Sequence, residues 1–473
     1  MTASRLLLSI ILITWPVCVF GAANVVIVSG DAPGEGFSDP TPAVPMGGNT
    51  GTTVGQQRLN VFRSVANIWG STLTSSQTIR VLAFFDPLPC DVNSAVLGAA
   101  APYFTVANFG AGMPNTWYPI SLAEKLANLD FGPALPPEDR FEVIALFNSD
   151  LGRTGCFDGS GWYYGLDASS PGGLVNLATT VLHEFAHGLG FTVGPTNAST
   201  GARASGFPSI WEVYLRDLTT RKLWLGMTDA ERRASAVNTD NLVWSGGTSL
   251  SAAAAVLSLR PEVEILPPGP PVGAFEAQPA TFGPPVTPTG ISGYLMPAID
   301  AGGPSTLDAC EPLTPQSAFS VNGRIALVDR GTCTFTVKVL NAQNAGAIGA
   351  LIANNVPTGL PAMGGSDPTI TIPSLGITQA LGQTLREQLR FRGRAVSPVR
   401  VSLQRNPSIR SGTTAGYPRM FAPNPFQPGS SVSHWDISLD PNQLMEPFAT
   451  PDITLSLTPP VDLTFPLLRD IGW

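Results

Sequence analysis

The segment TVLHEFAHGLGFTV, residues 180–193, constrains the fold of this chain more than any other stretch. It places His183 and His187 four residues apart, and on an α-helix this spacing puts both imidazoles on one face, one turn apart. That arrangement lets two imidazoles bind one zinc ion, with Glu184 beside them. A catalytic zinc site usually has three protein ligands and a water molecule, so a third ligand has to come from another part of the chain.

A third histidine is available, but it lies far away in sequence. The chain of 473 residues contains three histidines, and the remaining one is His434. In the compact pattern HExxHxxGxxH, the third histidine would stand at position 193, which Val193 occupies here. If a three-histidine site exists, its membership is therefore fixed by elimination.

Composition restricts the class of protein. Hydrophobic residues make up 43% and charged residues 13%, so packed cores can form, and the length allows two or three domains. The 49 glycines and 45 prolines predict many turns and short strands rather than long helices. The net charge is −8 and no basic run is present, so we expect no nucleic-acid partner.

Residues 1–23 have the pattern of a secretory signal peptide. Arg5 precedes an apolar run over residues 6–20, small residues follow, and cleavage is expected near residues 21–23. A membrane anchor is the alternative, but the run is short for a bilayer span and Pro16 interrupts it. We therefore expect an exported protein without a membrane anchor, extracellular or, in a host with two membranes, periplasmic.

The mature chain would contain four cysteines, Cys90, Cys156, Cys310 and Cys333. An even number of cysteines in an exported protein predicts two disulfides, and four cysteines allow three pairings. A zinc site formed by all four cysteines is the competing interpretation. The absence of any CxxC pair argues against it.

Hydrophobic periodicity predicts a mixed α+β lobe around the HExxH helix. We expect an amphipathic helix within residues 56–73 and strands within residues 78–88 and 141–150. A third strand is expected in GWYYGLD, just before the HExxH helix. Gly190 is expected to end that helix, because glycine readily adopts the left-handed conformation found at helix C-termini.

The sequence changes in character near residue 262, where a Pro- and Gly-rich stretch has the pattern of a domain border. The segment GRIALVDRGTCTFTVKVLNAQNAGAIGALIANN follows and predicts a strand, a helix and a second strand between residues 325 and 353. This spacing indicates a βαβ-like unit inside a compact domain that runs to about residue 402. A second Pro- and Gly-rich joint covers residues 407–428.

After this joint, GSSVSHWDISLDPNQLMEPF contains His434 in SHWD and Met445 in LMEP. Together with HEFAHGLGF, these motifs resemble the leishmanolysin-like metzincins, zinc peptidases with a long insert before the third histidine. In metzincins a tight turn that carries a methionine passes beneath the zinc. The resemblance covers roughly residues 130–260 and 415–473.

This resemblance implies a metzincin-like zincin catalytic domain of the α+β class. One zinc ion would be held by His183, His187 and His434. Glu184 would act as the general base, and Met445 would form the structural methionine turn.

The insert resembles a protease-associated (PA) domain. The matching signature is a strand, the RGTCTF turn, a lysine-bearing helix with AxxAGA and a strand, followed by ITIPSLGIT. The resemblance implies a β-rich α/β PA domain over residues 262–402 that interrupts the catalytic domain, which would occupy residues 24–261 and 403–473.

The domain assignment also selects among the cysteine pairings. Cys333 lies in the RGxCxF turn of the PA-like segment, and Cys310 lies in the same predicted domain. We therefore expect the pair Cys310–Cys333, and with it the pair Cys90–Cys156 in the first part of the catalytic domain.

The combined motifs predict a secreted zinc endopeptidase that acts on proteins or peptides. Three neutral imidazoles leave a fourth zinc position for water, whose pKa the metal lowers towards about 7. Glu184 can take the proton of this water and pass it to the leaving amine. A non-catalytic secreted protein that binds partners through the PA domain is the alternative, and a zinc hydrolase of non-peptide amides fits the same ligands. An intact Glu184 favours the enzyme, and no oligomeric state is predicted.

Two weaker sets of candidates complete the sequence-based prediction. Tyr163 or Tyr164 could donate a hydrogen bond to an oxyanion, although strand packing is their default role. A calcium ion could be held in the Gly-rich stretch that contains three aspartates, but no EF-hand spacing is present. These aspartates are Asp150, Asp158 and Asp167.

Overall fold

A computed structural model describes residues 22–393 and 396–473 of the chain. The predicted signal peptide lies outside the described residues, except for Ala22 and Ala23, which reach the first lobe. Ala22 forms a β-bridge with Thr74, and Ala23 is buried. Within the described ranges, no helix combines the length and the apolar character needed to cross a bilayer.

The first lobe precedes the predicted insert. Its strands are β1 (Asn24–Ser29), β2 (Thr78–Asp86), β3 (Gly98–Pro102), β4 (Thr105–Val106), β5 (Tyr118–Pro119), β6 (Val143–Asn148), β7 (Trp162–Tyr163), β8 (Val175–Asn176), β9 (Leu215–Asp217) and β10 (Leu242–Trp244). Its α-helices are α1 (Val54–Thr72), α2 (Ile120–Ala127), α3 (Leu177–Leu189), α4 (Asp229–Ser235) and α5 (Gly247–Val256).

A four-stranded sheet supports this lobe, in the order β1-β2-β6-β3. The first three strands are parallel, and β3 pairs antiparallel with β6 at one end of the sheet. Strand β2 alternates buried and half-buried residues, as expected for a strand with one face against the core. The predicted helix and the first two predicted strands are therefore present.

The third predicted strand is much shorter than its sequence suggested. In GWYYGLD only Trp162 and Tyr163 pair with β8. The chain leaves the strand because the backbone N–H of Leu166 donates to Gly47 instead.

The insert contains its own sheet and helices. Its strands are β11 (Leu259–Leu266), β12 (Gly273–Glu276), β13 (Gln278–Pro279), β14 (Ile291–Pro297), β15 (Ile325–Asp329), β16 (Gly349–Ala353), β17 (Ser374–Ile377) and β18 (Arg400–Arg410). Its helices are α6 (Pro315–Val321), α7 (Phe335–Asn344) and α8 (Gln379–Leu389).

The strands of the insert form one sheet in the order β12-β11-β18-β14-β15-β16-β17-β13. Strands β14 to β17 run parallel, with α7 connecting β15 to β16 as the sequence predicted. Strands β11 and β18 pair antiparallel and extend the insert from Leu259 to Arg410, beyond the limits expected from the sequence. Two apolar clusters fill the insert and contain no residue of the first lobe.

After the insert, residues 411–473 return to the core of the first lobe. Their one described α-helix is α9 (Thr464–Ile471). Trp435, Met445 and other apolar residues of this segment belong to the same cluster of buried residues as α3. The indole N–H of Trp473 donates to the carbonyl of Leu189 at the end of α3 (2.8 Å). The two stretches that flank the insert therefore share one core.

The described residues form two disulfides, Cys90–Cys156 and Cys310–Cys333. These are the pairs that the domain assignment favoured. Because all four sulfurs are paired, the alternative of a four-cysteine zinc site does not apply.

Candidate metal centre

The three histidines of the chain meet at one point. The Nε2 atoms of His183 and His187 are 3.1 Å apart, and each lies 3.2 Å from Nε2 of His434. His187 and His434 are buried, and His183 is half-buried. The structure thus brings together the residues selected by elimination from the sequence.

Helix α3 fixes the positions of His183 and His187. Its first turn is capped by the side chain of Asn176, which accepts a hydrogen bond from the backbone N–H of Thr179 (3.1 Å). At its end, Gly190 adopts a φ of 117°, as the sequence predicted, and reverses the chain. Gly188 lets the helix lie directly on β6, because a Cβ atom at this position would stand 2.2 Å from the side chain of Val143.

The ring nitrogen Nδ1 of each histidine is bound to a backbone carbonyl. His183 donates to Leu444 (2.7 Å), His187 to Phe191 (2.6 Å) and His434 to Ser430 (2.8 Å). A proton held on Nδ1 leaves the lone pair of Nε2 free, so three Nε2 lone pairs face one another. Proteins orient histidine ligands for a metal through such hydrogen bonds at the ring nitrogen that does not bind the metal.

The electrostatic environment keeps these imidazoles neutral. Burial lowers the pKa of His183 from 6.5 to about 4 and that of His187 to about 3. Burial also lowers the pKa of His434 well below its ordinary value, with further contributions from the neighbouring histidines. Neutral imidazole is the form that binds a metal, so the donor set suits a zinc ion near neutral pH.

The segment around Met445 lies beneath His183 and supports it. Met445 is fully buried, and its carbonyl accepts a hydrogen bond from the backbone N–H of Trp435 (2.8 Å). The preceding residue, Leu444, provides the carbonyl for His183, and its own N–H donates to Asp462 (2.7 Å). Met445, which the sequence resemblance assigned to a methionine turn, is thus a packed core residue next to the carbonyl that orients His183.

Val193, which stands where the compact motif would have its third histidine, lies close to the site. The backbone N–H of Val193 donates to the hydroxyl of Ser433 (3.1 Å), the residue just before His434. The chain after the insert thus places His434 next to the end of the HExxHxxGF segment. The insert separates the two parts of the motif in sequence but not in space.

Glu184 lies on α3 and packs against the edge strand β3. It is 6% exposed, and a Cβ atom added to Gly98 would lie 2.9 Å from its Cγ and 3.1 Å from its Oε1. Burial raises the pKa of Glu184 from 4.5 to about 8, and a hydrogen bond from the backbone of Ala100 opposes this shift. No sequence pattern around Gly98 indicates that it makes room for Glu184.

A cleft leads from His183 towards the insert. A small cavity of about 70 Å³ is lined by His183, Leu444 and the segment 446–450. The same segment also lines a larger cavity of about 460 Å³ between the first lobe and the insert. On the insert side its wall includes Gln278, Met363 and Gly364.

Ion pairs connect the insert to the segment that follows it, close to this cleft. Arg419 makes two hydrogen bonds to Glu276 at the end of β12, one of them 2.9 Å long. Arg405 of β18 pairs with Asp440, which lies between His434 and Met445 in sequence. The insert is thus held beside the candidate metal centre by charged contacts.

The tyrosine candidates do not extend the site. The hydroxyl of Tyr163 donates to Asp167 (3.0 Å), so its proton is already engaged. Among the described residues that line the two cavities of the cleft, neither Tyr163 nor Tyr164 is present. Strand packing, the default role, accounts for Tyr163.

The aspartates proposed for calcium do not come together either. Asp150 pairs with Arg153, and Asp158 accepts a hydrogen bond from the backbone N–H of Gly155. Within the described part of the chain, Asp150, Asp158 and Asp167 form no cluster of metal-ligating side chains. The calcium prediction at these residues is therefore not supported, because each carboxylate bonds locally.

Comparison with known protein families identifies the insert. A family model described as PA domain matches residues 293–385. The chain therefore contains a PA domain within a mixed α/β structure, as the sequence predicted for this part.

Curated relatives match about a quarter of this chain. A Receptor homology region, transmembrane domain- and RING domain-containing protein 1 of Oryza sativa subsp. japonica is 36% identical over 115 residues, 24% of this chain and 20% of that protein. The E3 ubiquitin-protein ligase ZNRF4 of Macaca fascicularis is 39% identical over 117 residues, 24% of this chain and 26% of the relative. The chain thus covers only a fifth to a quarter of these relatives' length.

Solved structures give only distant similarities. A zinc aminopeptidase from Bacillus subtilis, BSAP, is 23% identical, with 33% of this chain and 36% of that chain covered and a TM-score of 0.21. An aminopeptidase from Aneurinibacillus sp. strain AM-1 is 17% identical, with 41% of each chain covered and a TM-score of 0.23. Scores this low carry no argument about the part of the chain that holds the three histidines.

Proposed function

We propose that this protein is a zinc-dependent endopeptidase of the leishmanolysin-like metzincin type, with a PA domain inserted before its third zinc ligand. The observation that carries the proposal is the convergence of three Nε2 atoms within 3.1–3.2 Å of one another. Each imidazole is neutral and is oriented by a backbone carbonyl. A packed protein core gains nothing from three facing lone pairs, whereas a zinc ion requires them.

His183, His187 and His434 would hold the zinc ion. When bound there, zinc supplies a Lewis acid that polarises a carbonyl and lowers the pKa of a water molecule. Glu184 directly follows His183 and is buried against β3, where it can receive a proton and release it to a leaving amine. A hydrogen bond from the backbone of Ala100 and the close packing at Gly98 orient the carboxylate, and orientation favours proton transfer.

The edge of the sheet favours a peptide over a small amide as the substrate. Strand β3 is the last of the described strands on its side of the four-stranded sheet, next to Glu184. An extended peptide can add to such an edge through backbone hydrogen bonds. This would align a peptide bond beside Glu184 and the histidines, and it would permit cleavage within a chain.

The PA domain would shape access to this cleft. Its residues form one wall of the cavity of about 460 Å³ that continues from the histidine cavity. An extended substrate that reaches beyond the histidines therefore meets the PA domain. We expect this domain to affect long substrates more than short peptides.

Export of the protein remains part of the proposal. Two disulfides are consistent with an oxidising compartment, outside the cell or in a periplasm. The alternative function, a secreted protein that binds partners through the PA domain without catalysis, is supported by the curated relatives, which match only about a quarter of this chain. The intact Glu184 and the geometry of the histidines favour the enzyme.

The test is hydrolysis of casein by the purified protein, with and without a chelator, compared with the Glu184→Gln variant. We expect cleavage that the chelator abolishes and that added zinc restores. Glu184→Gln retains the shape of the side chain and the zinc, but it should lose at least about 10²-fold in kcat because it cannot accept a proton. A variant that cleaves as fast as the parent would exclude Glu184 as the base, and a folded, zinc-loaded protein without any cleavage would favour the binding function.

A further inference from the structure

A second cluster of potential metal ligands lies in the PA domain, away from any histidine. The loop between β14 and α6 brings Asp300, Asp308 and Glu311 together, with ligand oxygens within 4.8 Å of one another. Asp300 and Asp308 are each 2% exposed. Carboxylates this deeply buried are rare unless they are paired or bind a cation.

Three carboxylate oxygens of this cluster lack donors among the described residues, whereas Asp308 accepts hydrogen bonds from the backbone N–H of Cys310 (3.4 Å) and the hydroxyl of Thr332 (3.3 Å). Neither oxygen of Asp300 accepts a hydrogen bond of normal geometry from any described residue, and the same holds for Oε2 of Glu311. A buried carboxylate oxygen without a partner loses its hydration and gains nothing in return. Such unpaired oxygens indicate that a cation belongs in the cluster.

The protein supplies only part of the positive charge that the cluster needs. Lys338 on α7 is fully buried, and its ammonium lies 3.9 Å from Oδ2 of Asp308. It donates its short hydrogen bond to the backbone carbonyl of Asp308 (2.7 Å) rather than to a carboxylate. Burial raises the pKa of Asp300, so the cluster disfavours full ionisation unless positive charge is added. With all three carboxylates ionised, one ammonium leaves two negative charges without a counter-charge among the described residues, which matches a divalent cation.

Two glycines make space for these carboxylates. A Cβ atom at Gly303 would lie 2.8 Å from Oε2 of Glu311, and one at Gly331 would lie 2.6 Å from Oδ2 of Asp308. Gly303 also has a φ of 77°, which a residue with a side chain rarely adopts. A side chain at either glycine would therefore collide with a carboxylate of the cluster.

A second acidic cluster in the first lobe shows the difference. Glu124, Asp130 and Glu142 also lie within 4.8 Å of one another. However, Arg80 donates to both Asp130 and Glu142, and the N–H of Phe131 donates to Glu124. These carboxylates are satisfied by protein donors, so proximity of acidic groups alone does not create a demand for a cation.

We propose that the loop of Asp300, Asp308 and Glu311 binds one calcium ion. The ligand atoms are all oxygens, which excludes a preference for zinc or copper. Calcium accepts irregular sets of carboxylate and carbonyl oxygens, whereas magnesium demands near-ideal octahedral geometry. The ion would stabilise this loop next to Lys338 of α7 and the Cys310–Cys333 disulfide. It would share no ligand with the centre formed by the three histidines.

The experiment measures calcium binding to the full-length, zinc-replete protein by isothermal titration calorimetry and by the change in melting temperature. We expect one calcium ion per chain, with a Kd at or below about 10⁻³ M, the weak end of extracellular calcium modules. Asp300→Asn and Glu311→Gln should each weaken binding by at least about tenfold, because each removes a charged ligand. Asp130→Asn, in the satisfied cluster, should bind calcium as the parent does.

Two further arms keep the result decisive. Glu311 is only half-buried, so Glu311→Gln provides the answer if Asp300→Asn does not fold. His434→Ala should retain calcium binding, because the two sites share no ligand. Absence of calcium binding by the parent would overturn the proposal and would mean that Asp300 and Asp308 share a proton instead. Equal binding by the parent and Glu311→Gln would also overturn it.

Discussion

The sharpest test of the role of Glu184 is a single methyl group placed beside it. Gly98 on β3 faces the Glu184 side chain, and no other residue type fits there without displacement. In Gly98→Ala the new Cβ would stand 2.9 Å from Cγ and 3.1 Å from Oε1 of Glu184, and 3.1 Å from the carbonyl oxygen of Leu146. The variant leaves all three histidines and the carboxylate itself unchanged.

The expected loss follows from these distances. Unstrained carbon contacts lie near about 3.5–4.0 Å, so the Glu184 side chain has to move by about half an ångström. A misplacement of about 1 Å can cost about 10²-fold in rate, so half of it corresponds to a loss of about tenfold in kcat. This loss is equivalent to about 1.4 kcal/mol of transition-state stabilisation.

The assay is kcat on an internally quenched peptide, with the zinc content measured on the same samples. Ala99→Val is the matched control, because Ala99 lies on the same strand with its side chain exposed on the opposite face. We expect Gly98→Ala to lose kcat at unchanged zinc content and the control to retain it. A Gly98→Ala enzyme that is folded, zinc-loaded and as fast as the parent would refute the assignment of Glu184 as a proton acceptor held in place by β3.

Two other predictions address the cleft and the pH dependence of stability. Gly364→Phe should fill the cavity between the first lobe and the insert, because a Cβ at this position meets no described atom within 4 Å. It should reduce kcat/KM for casein more than for a short peptide, and Gly226→Phe, outside the cavity, is the control. Equal effects of Gly364→Phe on both substrates would contradict a role of the PA domain in access. Burial raises the pKa of Glu124 from 4.5 to about 7, so the folded protein favours the neutral carboxyl. The stability that this group contributes is therefore fully present below its unfolded pKa and is lost as the pH rises through about 7. The melting temperature of Glu124→Gln should therefore fall less than that of the parent when the pH is raised from about 5 to about 8. A larger fall for Glu124→Gln than for the parent would contradict this explanation.

The sequence predicted those parts of the fold in which local pattern and tertiary structure agree. Helix α1 and strands β2 and β6 have regular periodicity and appear where expected. Helix α3 ends at Gly190 because only a left-handed residue lets the chain reverse there. The PA domain was recognisable because its strand, turn, helix and strand keep a fixed order.

The rest depended on contacts that leave no signal in sequence. The carbonyls that orient the histidines belong to Leu444, Phe191 and Ser430, and any residue can supply a carbonyl. Residues after the insert contribute buried side chains from irregular backbone, so no periodicity marks them. For the acidic groups, sequence neighbourhood was misleading, since Asp150 and Asp158 bond locally whereas Asp300, Asp308 and Glu311 converge.

The central claim is that one zinc ion is held jointly by both sides of the insert. Its most direct test is the zinc content of dilute, chelator-washed protein, measured by mass spectrometry for the parent, Glu184→Gln and His434→Ala. We expect one zinc per chain in the parent and in Glu184→Gln. His434→Ala should lose most of its zinc, because two imidazoles remain from a three-histidine set. Full zinc occupancy in folded His434→Ala would contradict the account and would leave the HExxH helix to bind its metal without His434.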